Sequence, residues 1–248
     1  MPYTERTVTF SDGQVEVKRY YAPGQCRGAR AQKSKNTKKA AAEVNRRNAV
    51  EKLSWLLQEN FKVDDWHFSP TFAPNCMPPD EATAKKLFQD TFLTPVRRLY
   101  KKLGAECKYI WTIGTSSRGR LHIHLVLNHI DGLEFHQLKK LWKYGQLRVC
   151  NTLYADGRYK DLAAYLIDQS KPSGKCEKGQ KKYCCSKNLQ MPEIQKRIIK
   201  RGFWRKEKPG IPDYFRGKYT IDINSIENYV RDFDGTPVQK FILIPKKE

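Results

Sequence analysis

The sequence predicts an α+β fold built around an antiparallel sheet. Period-two alternation of apolar and polar residues marks strands at 66–72, 107–113 and 120–128. Helical spacing of apolar residues marks about 80–103, 134–143 and 158–170 between and after them. Apolar residues make up 39% of the 248, enough to build a core and to exclude a wholly disordered chain.

The elements follow in order. Residues 1–21 read as a hairpin, with Val8 and Phe10 alternating with Thr, Ser11-Asp12-Gly13 as the turn, and Val15 and Val17 on the return. Residues 23–39 are basic and poor in apolar side chains, as in a linker or a nucleic-acid-binding arm. A helix at about 40–60 carries the stripe Val44, Val50, Leu53, Leu57 and Phe61. The strand at 66–72 alternates Trp66, Phe68 and Phe72 with His67, Ser69 and Thr71, although Pro70 lacks a ladder donor and belongs at an edge or bulge. Asp80 is the expected N-cap of the next helix, Pro95 should kink it, and Gly104 should end it. Strands at 107–113 and 120–128 flank Ser116-Ser117-Arg118-Gly119. A helix with Leu138, Leu141 and Trp142 on one face, a short strand at 146–150 and a helix at about 158–170 complete the series. The order β-α-β-β-α-β is the ferredoxin-like arrangement, an antiparallel sheet with helices on one face. The expected organisation is a basic N-terminal hairpin and helix at 1–60, a core at 61–171 and a basic extension at 172–248 carrying a strand-like Phe241-Ile242-Leu243-Ile244-Pro245.

Lys and Arg number 47 against 26 Asp and Glu, a formal charge of +21, so an anionic partner such as nucleic acid is expected. No apolar run approaches the roughly 20 residues of a membrane span, and no secretory signal pattern opens the chain. Seven cysteines without an export signal point to reduced thiols in a cytoplasm.

The sharpest feature is Leu121-His122-Ile123-His124-Leu125. Residues two apart on a strand share a face, so Leu121, Ile123, Leu125 and Leu127 point into the core while His122 and His124 stand side by side on the other face. On a sheet with helices on one side only, that face is open to a metal and a substrate. Two hydrogen-bonded surface histidines are the bland alternative. In the last helix, Tyr159, Leu162, Ala163 and Leu166 form the buried stripe, and Tyr165 lies on the polar side with Arg158, Asp161, Asp168 and Gln169. Cys176, Cys184 and Cys185 match no usual zinc spacing.

His-hydrophobic-His on a strand, followed by a helix with an exposed tyrosine, resembles the HUH endonucleases. The likeness is nearest to the replication-associated proteins of bacterial rolling-circle plasmids and filamentous-phage-like elements. It is carried, in order, by ENFKVDDWHFSPTF, KYIWTIGTSSRGRLHIHLVLN, LKKLWKYGQLRV, DLAAYLIDQSK and KYCCSKNL, over roughly residues 55–190. The resemblance implies that His122 and His124 hold Mg²⁺ or Mn²⁺ and that Tyr165 attacks the scissile phosphate of single-stranded DNA, leaving a 5′-phosphotyrosine and a 3′-OH. It implies a replication-origin hairpin as substrate, a bacterial cytoplasm, and a host helicase and polymerase as partners, since no Walker-type motif is present. Arg118, Arg120 and Arg158 are candidate phosphate contacts.

The sequence departs from the family pattern in three places. The acidic residue often found upstream of the histidines is replaced by Ile113 and Gly114. Asp168 stands where many relatives have the lysine of Tyr-x-x-Lys, and Pro70 interrupts a strand. Single-stranded-DNA transposases of the superfamily use Tyr-x-x-x-Gln, which Tyr165 and Gln169 fit, so Gln169 is a candidate third ligand and Asp168 another. The competing readings are an inactive homologue, a transposase or relaxase of the same superfamily, and a non-catalytic nucleic-acid-binding module of RRM-like topology. The last would want aromatics on its open face, where this chain has His122, His124, Val126 and Asn128.

Overall fold

The computed structural model describes residues 3–21, 38–116, 119–150, 159–169, 182–200, 208–231 and 235–246. The basic segment 23–39 therefore falls, but for its last two residues, outside the described residues, as do Arg118, Arg158 and Cys176. The chain divides into two compact units, Met1–Asn45 with Met191–Glu248, and Arg46–Gln190. Each contains one five-stranded antiparallel sheet.

In the first unit, β1 (Tyr3–Thr9) and β2 (Val15–Tyr20) form the expected hairpin. The C-terminal stretch contributes β8 (Glu193–Ile199), β9 (Tyr219–Val230) and β10 (Pro237–Pro245), so the sheet runs β8-β1-β2-β10-β9. Val15, Val17, Phe241 and Leu243 are buried together against Ile211, Phe215 and Tyr219. The Arg19 guanidinium is buried and donates to Glu5 at 2.7 Å and to the Gly210 carbonyl at 2.8 Å, and the Tyr214 hydroxyl donates to the other Glu5 oxygen at 2.8 Å. A buried charge pair of this kind is tolerated because its remaining polar sites are hydrogen-bonded.

The second unit holds β3 (Trp66–Pro70), β4 (Tyr109–Thr115), β5 (Leu121–Leu127), β6 (Leu147–Val149) and β7 (Cys184–Cys185), ordered β6-β3-β5-β4-β7. Between β3 and β4 runs one helical stretch: α2 (Glu81–Phe88), a π turn over Gln89–Leu93, and α3 (Thr94–Lys102). Asp80 caps its start by accepting from the Thr83 amide at 2.7 Å, as the sequence predicts. The irregularity that Pro95 demands takes the form of the π turn just before it. Gly104, at φ +71°, ends the stretch. Then come α4 (Phe135–Leu141), opened by a reciprocal Glu134–Gln137 capping box, and α5 (Lys160–Gln169).

Phe68, Trp111, Ile113, Ile123, Leu125 and Leu127 pack with Phe88, Phe92, Val96, Tyr100, Leu138 and Trp142 on one side of the sheet. Trp111 and Trp142 are thus core residues. The opposite side does not match the expectation of helices on one face only. There Ile110 and Val126 are buried under α5 and under the part of α1 (Lys38–Asn60) that belongs to this unit, through Val50, Leu53, Leu57, Phe61, Leu162, Ala163 and Leu166. The physical reason is that Ile110 and Val126 are apolar on the histidine face. Burying such a side chain is worth about 1.5–3 kcal/mol, so that end of the face is covered. Pro70 resolves simply: it is the last residue of β3, where its missing donor costs little.

Candidate active site

β5 carries His122 and His124 on the face away from the Phe88–Trp111 core, because Ile123 and Leu125 fill that core from the alternate positions. β4 runs antiparallel beside it, with Gly114 opposite His122 and Thr112 opposite His124. The two imidazoles are edge to face, with ring centroids 5.0 Å apart.

α5 lies with its apolar stripe down. Tyr159, just before it, is buried and donates its hydroxyl to the Phe61 carbonyl at 2.9 Å, which makes it a packing residue as its place on the stripe predicts. Tyr165 is 43% exposed, and its ring meets His124 rather than the core. Its hydroxyl lies 3.1 Å from His124 Nε2. Gln169 Oε1 accepts from His122 Nε2 at 3.3 Å. This pairing has a simple geometric basis. Four residues of α-helix rise roughly 6 Å, and two residues of strand advance roughly 6.8 Å. Tyr165 and Gln169 therefore match His124 and His122 one to one.

Gly114 makes the approach possible. A Cβ there would sit 2.9 Å from the Gln169 carbonyl oxygen and 3.2 Å from both Gln169 Oε1 and His122 Nε2. Gly114 thus leaves the space into which the end of α5 fits. Asp168 is engaged elsewhere. Arg46 grips its carboxylate with two bonds, Nε at 2.7 Å and Nη2 at 2.5 Å. The structure thus brings together His122, His124, Tyr165 and Gln169, and ties Asp168 to α1.

Burial dominates the electrostatics. It pushes His124 down to about 3, helped by the neighbouring His67 and His122, so the ring stays neutral with its lone pair available to a Lewis acid. Burial, and then the Cys150 thiol, raise the Tyr165 phenol above its ordinary value, so this hydroxyl is not ionised by its surroundings.

Beside His122 opens a groove of about 440 Å³ lined by Thr71, Ser116, Arg120, Gln146 and Arg148. Thr71 bridges to His122, and Arg120 is exposed at the start of β5. The Arg148 guanidinium is oriented by Gln146 Oε1 at 2.8 and 3.0 Å. One wall depends on Gly145, where a Cβ would fall 2.1 Å from the Thr71 carbonyl oxygen. Of the three arginines predicted to contact phosphate, Arg120 borders this groove and the other two lie outside the described residues. Sequence reasoning missed Arg148 and Gln146, whose only signal is their alternation in a short strand. It gave no role to His67, although period two places it on the histidine face of β3.

Residues 70–170 match the family model of the replication-associated protein ORF2/G2P. No curated protein and no solved structure matches the chain. The matched stretch holds β5, α5 and the four converging side chains, and this likeness supports a replication initiator.

Proposed function

We propose that the chain is a rolling-circle replication initiator of the HUH endonuclease type, which nicks and rejoins single-stranded DNA at a replication origin. The single observation that carries the reading is the one-to-one register of Tyr165 and Gln169 on His124 and His122. The β-α-β-β-α-β order with strands arranged β6-β3-β5-β4 reads as the ferredoxin-like core of that type.

The donor set of two imidazoles and one amide oxygen suits Mg²⁺ or Mn²⁺ with positions left for phosphate oxygens. His122, His124 and Gln169 would hold the ion, which when bound polarises the scissile phosphate. Tyr165 is the nucleophile. Its oxygen forms a bond to phosphorus, the bond to the 3′ oxygen breaks, and that oxygen leaves as a 3′-OH after taking a proton. The phenol proton passes to solvent at the exposed edge of the ring. The resulting 5′-phosphotyrosine conserves the bond, so a later 3′-OH reverses the step and ligates. Arg120 and Arg148 border the groove in which the strand's phosphates would lie. Unwinding and synthesis fall to a host helicase and polymerase. A purely binding module with an open, aromatic sheet face is less well supported, because α1 and α5 cover part of that face.

The test is a denaturing-gel assay for a covalent protein–oligonucleotide adduct in Mn²⁺. Tyr165→Phe is expected to abolish the adduct while leaving DNA binding intact, since only the attacking oxygen is lost. An adduct that persists in Tyr165→Phe would refute the assignment.

A further inference from the structure

A second cluster adjoins His124. His67 on β3 is 1% exposed, and neither of its ring nitrogens has a hydrogen-bond partner among the described residues. His124 is 3% exposed, and its Nδ1 is likewise buried without one. The two rings are 5.5 Å apart. Cys150, half-buried just after β6, donates its amide to the His67 carbonyl at 2.7 Å, which brings its thiol to the same place. The ligand atoms of His67, His124 and Cys150 all lie within 4.8 Å of one another. Three orphaned nitrogens at one buried spot are rare in folded proteins, where buried polar groups find partners.

We propose that His67, His124 and Cys150 form a buried cation site that takes Zn²⁺. The site goes beyond the proposed nuclease centre but shares the His124 ring with it, and His67 lies outside the stretch that matches the replication-associated family. A thiolate with two imidazoles selects a borderline-soft ion over Mg²⁺ or Mn²⁺. Three protein ligands leave a fourth position for water. Zinc–nitrogen and zinc–sulfur bonds place ligand atoms roughly 3.5 Å apart in a tetrahedral site, so closure by about an ångström completes it. On binding, the Cys150 S–H bond gives way to a sulfur–zinc bond and the proton goes to solvent. His124 would use Nδ1 here, which keeps its proton on Nε2. Zinc at this site and a cation on His124 Nε2 therefore exclude each other.

The experiment is a Co²⁺ titration of the full chain, reduced and stripped of metal, followed by absorption. The expected result is one equivalent of Co²⁺ giving ligand-field bands and a near-ultraviolet thiolate charge-transfer band, both displaced by Zn²⁺. Cys150→Ser should lose the charge-transfer band. His67→Gln should weaken binding by more than about tenfold. His122→Ala and Tyr165→Phe should keep the band, which separates this site from the nuclease site. A charge-transfer band unchanged in Cys150→Ser, no Co²⁺ binding by the folded wild type, or equal weakening by His122→Ala and His67→Gln would each overturn the proposal.

Discussion

Gly114 does two things at once: it stands opposite His122 in the β4–β5 ladder and leaves the space that the end of α5 fills. Gly114→Ala puts a methyl 2.9 Å from a backbone carbonyl, which cannot swing aside as a side chain would. Overpacking of this kind costs about 1–3 kcal/mol, and the strain falls on Gln169 and His122. The expected outcome is a chain that still folds but forms covalent adduct far more slowly, measured by melting temperature and adduct yield on the same preparation. An acidic residue at this position would meet the same obstacle. Asp168 is the contrasting case. Its carboxylate is held by Arg46, and both side chains are partly exposed, at 37% and 28%. Asp168→Asn should therefore lower stability by less than about 1 kcal/mol and leave adduct formation in Mn²⁺ near wild type, as read by melting and by gel.

The element that matters most is α5. Its apolar stripe anchors it over Ile110 and Val126, and its polar side presents Tyr165 and Gln169 to β5. Much of this was legible, because local periodicity decides which face a residue occupies. The alternation of Leu121-His122-Ile123-His124-Leu125 separated histidines from core, and the stripe of α5 separated Tyr159 from Tyr165. Less legible was what each face meets. The α1 stripe said that it buries, and Val126 on the histidine face hinted at a cover, but the match between them is set by tertiary packing. Even within the stripe, Val44 proves exposed. Strands β8 and β9 escaped notice because β8 is almost wholly exposed and shows no apolar alternation. The pairing of β1 with β8 and of β2 with β10 joins segments nearly the whole chain apart, and no local pattern records that. Cys150 gave no sign of meeting His67, since that contact depends on the β3–β6 ladder.

At the scale of the molecule, two sheet-based units carry a +21 charge, and no helix among the described residues is long and apolar enough to cross a membrane. In the first unit the Tyr214 phenol is held well above its ordinary value by burial and by its hydrogen bond to Glu5. A group whose folded pKa is raised contributes stability that is present below its unfolded value, near 10, and lost as pH rises toward the folded one. Melting temperature should therefore fall above about pH 10, and Tyr214→Phe should flatten that alkaline limb while lowering stability at pH 8, because Glu5 loses a donor. In the proposed reaction one residue, Tyr165, takes the phosphoryl group beside His122 and His124. The most direct measurement is to trap the adduct with a single-stranded origin oligonucleotide in Mn²⁺, digest it, and map the nucleotide-linked peptide by mass spectrometry. The expected result is a single modified residue, Tyr165, in the peptide from α5. A nucleotide on Tyr159, Tyr183 or any other residue, with Tyr165 unmodified, would contradict it.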